Sequence, residues 1–111
     1  MKTIIVDNRK YEVAEADYPE KLTWREANKI DINGWTLPHF SLLQNMFING
    51  EDLNGFDYSE TYLSSTQFWD FENEHNVEDG SVYVLNFKTG EELLKHEDNY
   101  ACKIRLIREI K

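Results

Sequence analysis

The sequence predicts a single α+β domain over residues 1–111, and three observations predict it. Short β-rich runs stand at both ends, at residues 3–6 and 10–14 and again at 82–87 and 101–110. Two stretches between them, 22–30 and 39–48, carry apolar residues at helical spacing. Four of the five glycines follow Asn or Asp, and such pairs mark turns between elements. No repeat, low-complexity tract or interdomain linker interrupts the pattern.

Taken in order, TIIV and KYEVA flank Asp7-Asn8 and read as a hairpin. In LTWREANKI, Thr23 can cap a helix, and Glu26 three residues on completes a capping box. Trp24, Ala27 and Ile30 then share one face, and Asn33-Gly34 ends the helix. In GWTLPHFSLLQNMF, Pro38 holds Leu37 extended and its own φ suits a helix start. Phe40, Leu43 and Phe47, with Met46 beside them, make the inward stripe of a second helix. Trp35, just ahead, packs beneath that start and sets its angle.

Residues 49–80 are turn-rich and acidic, and Ser64-Ser65-Thr66 reads as an irregular bend. VYVLNF, residues 82–87, is a strand, Lys88 to Glu91 a hairpin turn, and 91–95 its partner. The final strand alternates Cys102, Ile104 and Leu106 against Lys103 and Arg105, and breaks or ends at Ile107-Arg108.

Several of these stretches together resemble the Lcl C-terminal-like domain family, a family of unknown function related to the sulfatase-modifying-factor branch of C-type-lectin-like folds. The matching residues are Leu22-Thr23-Trp24 with Ala27, Gly34-Trp35 with Leu37-Pro38, and Tyr62 with Ser64-Ser65-Thr66. Asn86-Phe87 with Gly90, and Ile104-Arg105 with Ile107-Arg108, follow in the same order. The chain departs from the family at Thr36 (Arg in the family), His39 (a capping Thr), Leu63 (Trp) and Leu106 (Cys). Leu63 and Leu106 keep apolar bulk. The contacts of the missing Arg and Cys are lost, and Cys102 lies outside the motif. The resemblance implies a C-type-lectin-like scaffold: a mixed, mostly antiparallel sheet, two short helices and long irregular loops. It implies no shared catalytic residues. It implies a recognition module of the kind that phages and mobile elements encode, displaying variable loops toward a ligand.

Charge narrows the partners. Twelve Lys and Arg against 21 Asp and Glu give a net charge of −9. That balance disfavours direct nucleic-acid binding, which rests on phosphate contacts from basic side chains. It suits either plain solubility or attraction to a basic partner. The single cysteine, Cys102, allows no internal disulfide and fits a reducing compartment. It is also too few for the active-site cysteines of a formylglycine-generating enzyme. MKTIIVDNRKYEV lacks a secretory core, so a cytoplasmic or particle-associated protein is expected, with no membrane span. Nothing in the chain speaks to oligomeric state.

The binding residues expected are Tyr62, Phe68, Trp69 and Phe71, rimmed by Asp70, Glu72 and Glu74, all in the 50–80 loop region. Consecutive aromatics cannot all turn inward from an extended segment, so they read either as a platform for a protein or glycan or as a flap over the core. The acidic run 70–79 could bind calcium through carboxylates or form a solvated face, and its spacing matches no calcium loop. Scattered histidines give no zinc site, and no metal or cofactor is expected. Ser64, Ser65 and Thr66 stand in no nucleophile elbow, and no sequence feature ties His39 or His75 to them. They read as hydroxyls for buried backbone groups. Arg105 and Arg108 serve either anion recognition or pairing with local carboxylates. Thr23, Trp24, Trp35 and Pro38 complete the structural set. The function expected is a non-enzymatic binding module. The alternative is an acidic inhibitor or nucleic-acid mimic that occupies a basic groove.

Overall fold

The computed structural model describes residues 2–53, 55–67, 81–96 and 100–111. Strands β1 (Lys2–Val6) and β2 (Arg9–Val13) form the N-terminal hairpin. Its two turn residues, Asp7 and Asn8, both hold positive φ (52° and 65°). That is the mirror-image turn whose twist matches paired strands, and Asp and Asn tolerate it. β2 also pairs with β6 (Ile107–Ile110), giving an antiparallel sheet in the order β1-β2-β6. A second antiparallel sheet, β3-β4-β5, comprises Thr61–Gln67, Ser81–Asn86 and Glu92–His96. The α+β class is therefore as expected, but with two antiparallel three-stranded sheets in place of one mixed sheet.

The helices are short. The capping box at Thr23 and Glu26 is formed, and α1 (Trp24–Ala27) stops earlier than the periodicity predicts. The face is nevertheless the predicted one: Ala27 is buried, with Trp24 and Ile30 packed beside it. α2 (Phe40–Ile48) buries Leu42, Leu43 and Met46, while Phe40 and Phe47 pack at the margin. Asn49-Gly50 does not open a loop, because Gly50 begins a further turn of helix, α3 (Gly50–Leu53).

The lead-in to α2 is fixed differently from expectation. Trp35 does not wedge under the helix; it packs, half-buried, on the cluster around Leu37, Leu63 and Leu106. Pro38 lies one residue before the N-cap, and its carbonyl accepts from the Ser65 N–H at 2.8 Å. His39, at the N-cap, makes no side-chain cap bond. Thr66 Oγ1 accepts from the Phe40 N–H instead, at 2.9 Å. A distant strand thus supplies the cap that a local threonine would provide.

Ser64-Ser65-Thr66 is not a bend but part of β3, whose register with β4 shifts between Leu63 and Gln67. At that bulge the wholly buried Ser64 hydroxyl donates to the Tyr83 carbonyl (2.7 Å) and accepts from the Thr66 N–H (3.2 Å). Hydroxyls here do the work of a broken ladder. Residues 50–53 and 55–67 are consequently no free loop: Leu53, Phe56, Tyr62 and Leu63 are core.

The C-terminal stretch also differs. The regular strand begins at Ile107, where the alternation breaks, rather than ending there. Residues 102–106 run extended between the two sheets. The carbonyls of Cys102, Ile104 and Leu106 accept from Leu22, Tyr18 and Ala14, while Lys103 exchanges two backbone bonds with β3. Two apolar clusters result. One holds Ile4, Val13, Leu43, Met46, Tyr62, Phe87 and Ile107; the other holds Ala27, Leu37, Leu63, Val84, Cys102 and Ile104. Leu63 and Leu106 both belong to the second cluster.

Candidate functional site

Two polar constellations stand out, one interior and one on the surface. The interior one centres on Arg105. Alternation places it on a polar face, but it is wholly buried. Its Nε donates to Asp17 Oδ1 (3.0 Å), its Nη1 to the Ala14 carbonyl (3.0 Å) and its Nη2 to the Gly55 carbonyl (2.7 Å). The guanidinium lies 4.1 Å from the centre of the Phe56 ring. Tyr62 donates its hydroxyl to Asp17 Oδ2 (2.7 Å) and accepts from the Asp57 N–H (2.8 Å). Lys103 Nζ stands 3.6 Å from both Asp17 and Asp57. Burial, then the bond to Asp17, raises the Tyr62 pKa, so the phenol stays protonated and serves as a fixed donor. Bonds from Ser59, first its hydroxyl and then its N–H, lower that of Asp57. The two carboxylates and two cations balance, every arm is engaged, and the cluster pins the 14–17, 55–57 and 103–105 segments together.

Tyr62 is thus a core residue, not an exposed anchor. Its ring packs 4.3 Å from that of Phe87, centre to centre. Phe68, Trp69, Asp70, Phe71, Glu72 and Glu74 lie outside the described residues, as does the rest of the 70–79 run. Among the described residues no three His, Cys, Asp or Glu converge as a metal set would. Cys102 is buried, and burial pushes its thiol up to about 12, so it is no nucleophile.

The surface constellation is a groove between the hairpin, β6 and the start of α2. Two hollows of about 410 and 360 Å³ share Arg9, Tyr11, His39 and Leu42. The larger adds Asn33, Thr36, Arg108, Glu109 and Lys111, so three cations face one carboxylate within it. Arg108 is held by Glu12 at 2.9 Å and stacks 4.8 Å from the Trp35 ring. Arg9 reaches Glu109 only at 3.8 Å from an exposed position, leaving its fork able to turn to another anion. The first turn of α2 lines the groove through Ser41, and its positive end adds to the field. These residues come from positions 9–11, 33–42 and 107–111, so no local motif could have announced them.

His39 and Ser65, unconnected by any sequence feature, do meet: Ser65 Oγ and His39 Nδ1 are 3.1 Å apart. Among the described residues no carboxylate bonds to that imidazole. Thr23 acts locally in its capping box, whereas Trp24 and Pro38 hold β3: the Trp24 indole donates to the Ser65 carbonyl at 3.2 Å and the Pro38 carbonyl accepts from the Ser65 N–H. Comparison with known families and with curated proteins finds no match for this chain. No described helix is long and apolar enough to cross a membrane.

Proposed function

We propose that the protein is a non-enzymatic binding module, and that the groove at the start of α2 holds a carboxylate- or phosphate-bearing group of a protein or glycan ligand. The observation that carries this reading is the convergence of Arg9, Arg108, Lys111 and His39 around Tyr11 in one hollow. In a chain of net charge −9, such a gathering opposes the overall field and favours an anion locally. Guanidinium forks suit planar anions, and the Tyr11 ring and Asn33 amide suit a sugar or peptide alongside. The C-type-lectin-like assignment belongs to the same reading. It is supported by the ordered motifs and by the formed capping box.

Titration of the ¹⁵N-labelled protein with acidic oligosaccharides and acidic peptides tests the reading. Amides of Arg9, Tyr11, Asn33 and Lys111 should shift together, and an Arg9→Ala, Lys111→Ala double variant should bind at least about tenfold more weakly, one lost charge-assisted contact. No shift in that set, or equal binding by the double variant, would falsify it. The mimic reading rests on the net charge alone and predicts the reverse pattern: binding lost on neutralising Asp and Glu, and untouched by removing these cations.

A further inference from the structure

We propose that the free edge of β1 pairs with β1 of a second copy of this chain, joining two three-stranded sheets into one of six strands. In an antiparallel ladder, facing residues alternate between pairs that exchange both backbone bonds and pairs that exchange none. The two-residue turn makes Val6 and Arg9 a bonded pair, and the register carries this to Ile4 with Tyr11 and Lys2 with Val13. Thr3 and Ile5 therefore direct their N–H and C=O groups outward, away from β2. Among the described residues no backbone bond reaches those four groups.

The other edges are better defended. β5 carries Glu92, Lys95 and His96. β3 is covered by bonds to Lys103 and Pro38, and Thr36 takes both outward bonds of Ile107 on β6. β1 has a single charge, Lys2, at its far end, and an unguarded edge of this kind is a template for another strand. The side chains agree. The two most exposed large apolar residues described are Ile48 (78%) and Ile5 (67%). Ile5 lines a groove of about 500 Å³ whose opposite wall is Asn45, Asn49 and Leu53.

The edge fits itself. With a two-fold axis through Ile4, Thr3 faces Ile5 of the second copy and Ile5 faces its Thr3, so all four outward groups on each strand are paired. The same register sets Lys2 opposite Val6 of the second copy, next to its Asp7, and symmetry gives one such opposite-charge contact at each end. Two chains of charge −9 thereby meet along an edge where isoleucine and threonine face each other and Lys2 of each copy lies beside Asp7 of the other.

Sedimentation equilibrium from micromolar to millimolar concentration tests the proposal. The wild type should dimerise, with the Thr3 and Ile5 amides slowing in hydrogen exchange as concentration rises. Ile5→Lys alters an exposed side chain and should raise the dimer dissociation constant at least about tenfold while leaving thermal unfolding of the monomer unchanged. Thr3→Pro removes one outward donor per chain, spares the inward ladder and should do the same. Should Thr3→Pro lose its native circular dichroism, Ile5→Lys and the exchange data decide. A wild type monomeric throughout, a dimer unaffected by Ile5→Lys, or an edge that accepts only an added foreign peptide overturns the proposal.

Discussion

Replacing Arg105 with Met keeps an unbranched apolar stem and removes the guanidinium with its charge and donors. Asp17 (13% exposed) is then left with the Tyr62 hydroxyl and a Lys103 amine 3.6 Å away, and the Ala14 and Gly55 carbonyls lose their donors. Removing one partner of a buried pair costs about 3–5 kcal/mol. Each orphaned carbonyl would add about 1–3 kcal/mol if fully buried, but Gly55 is exposed and its carbonyl can recruit water. A loss of about 4 kcal/mol follows, a large share of the ~5–15 kcal/mol that holds a domain of this size. Urea unfolding followed by tryptophan fluorescence reads it. With a slope of about 1.5 kcal/mol per molar the midpoint falls by roughly 2–3 M. Arg105→Lys, which keeps the charge but cannot reach three acceptors at once, should lose about 2–3 kcal/mol. Asp17→Asn should cost about 3 kcal/mol, and its double variant with Arg105→Met should fall short of the sum by ~1–3 kcal/mol. A single-variant loss under about 1 kcal/mol, or strict additivity, would mean that the cluster does not hold the three segments together.

Two further outcomes follow from other contacts. Tyr62 and Cys102 both have pKa values raised by burial, so the folded state keeps protons that the unfolded chain releases. Their stabilisation is complete below the ordinary values of 9.0 for the thiol and 10.0 for the phenol and falls as pH rises past them, by about 1.4 kcal/mol per unit for each group. Urea midpoints measured from pH 8 to 11 should show this decline, and Tyr62→Phe should flatten the part above about pH 10. Thr66→Val removes the cap of α2 and should cost about 1 kcal/mol by thermal or urea unfolding, whereas His39→Ala should cost under about 0.5 kcal/mol. Equal losses would mean that the Phe40 N–H does not depend on Thr66.

What could be read from the chain was whatever local chemistry settles. Asp7-Asn8 tolerates positive φ, Thr23 and Glu26 sit at capping distance, and VYVLNF with Lys88 to Gly90 closes its own hairpin. The failures are non-local. Ser64-Ser65-Thr66 has the composition of a bend because three hydroxyls compete with the backbone, yet β4 and the α2 lead-in supply partners from 19 and 26 residues away and draw it into a strand. Tyr62 seemed a surface anchor because aromatics serve both cores and interfaces; what decides is Asp17, 45 residues away, which takes its hydroxyl. The groove was invisible for the same reason, since no window of sequence contains both Arg9 and Lys111.

The buried arginine also follows from backbone accounting. Along residues 102–106 the carbonyls that accept from the opposite segment come every second residue, at 102, 104 and 106, while their donors come every fourth, at 22, 18 and 14. A partner that advances four residues for each two cannot form a ladder, so it bulges and leaves carbonyls turned inward without donors of their own. Arg105 sits in the midst of this mismatch, and its fork reaches Ala14 on the bulging segment and Gly55 on the far side. Lysine offers one point charge and could not satisfy both and Asp17 as well. Many buried ion pairs can be exchanged for apolar residues of similar volume with little loss. Here that exchange would remove the ion pair and still leave the Ala14 carbonyl without its donor and the Gly55 carbonyl dependent on water. An apolar double replacement of Asp17 and Arg105 should therefore stay destabilising, because the guanidinium is holding the irregular backbone rather than merely neutralising a carboxylate.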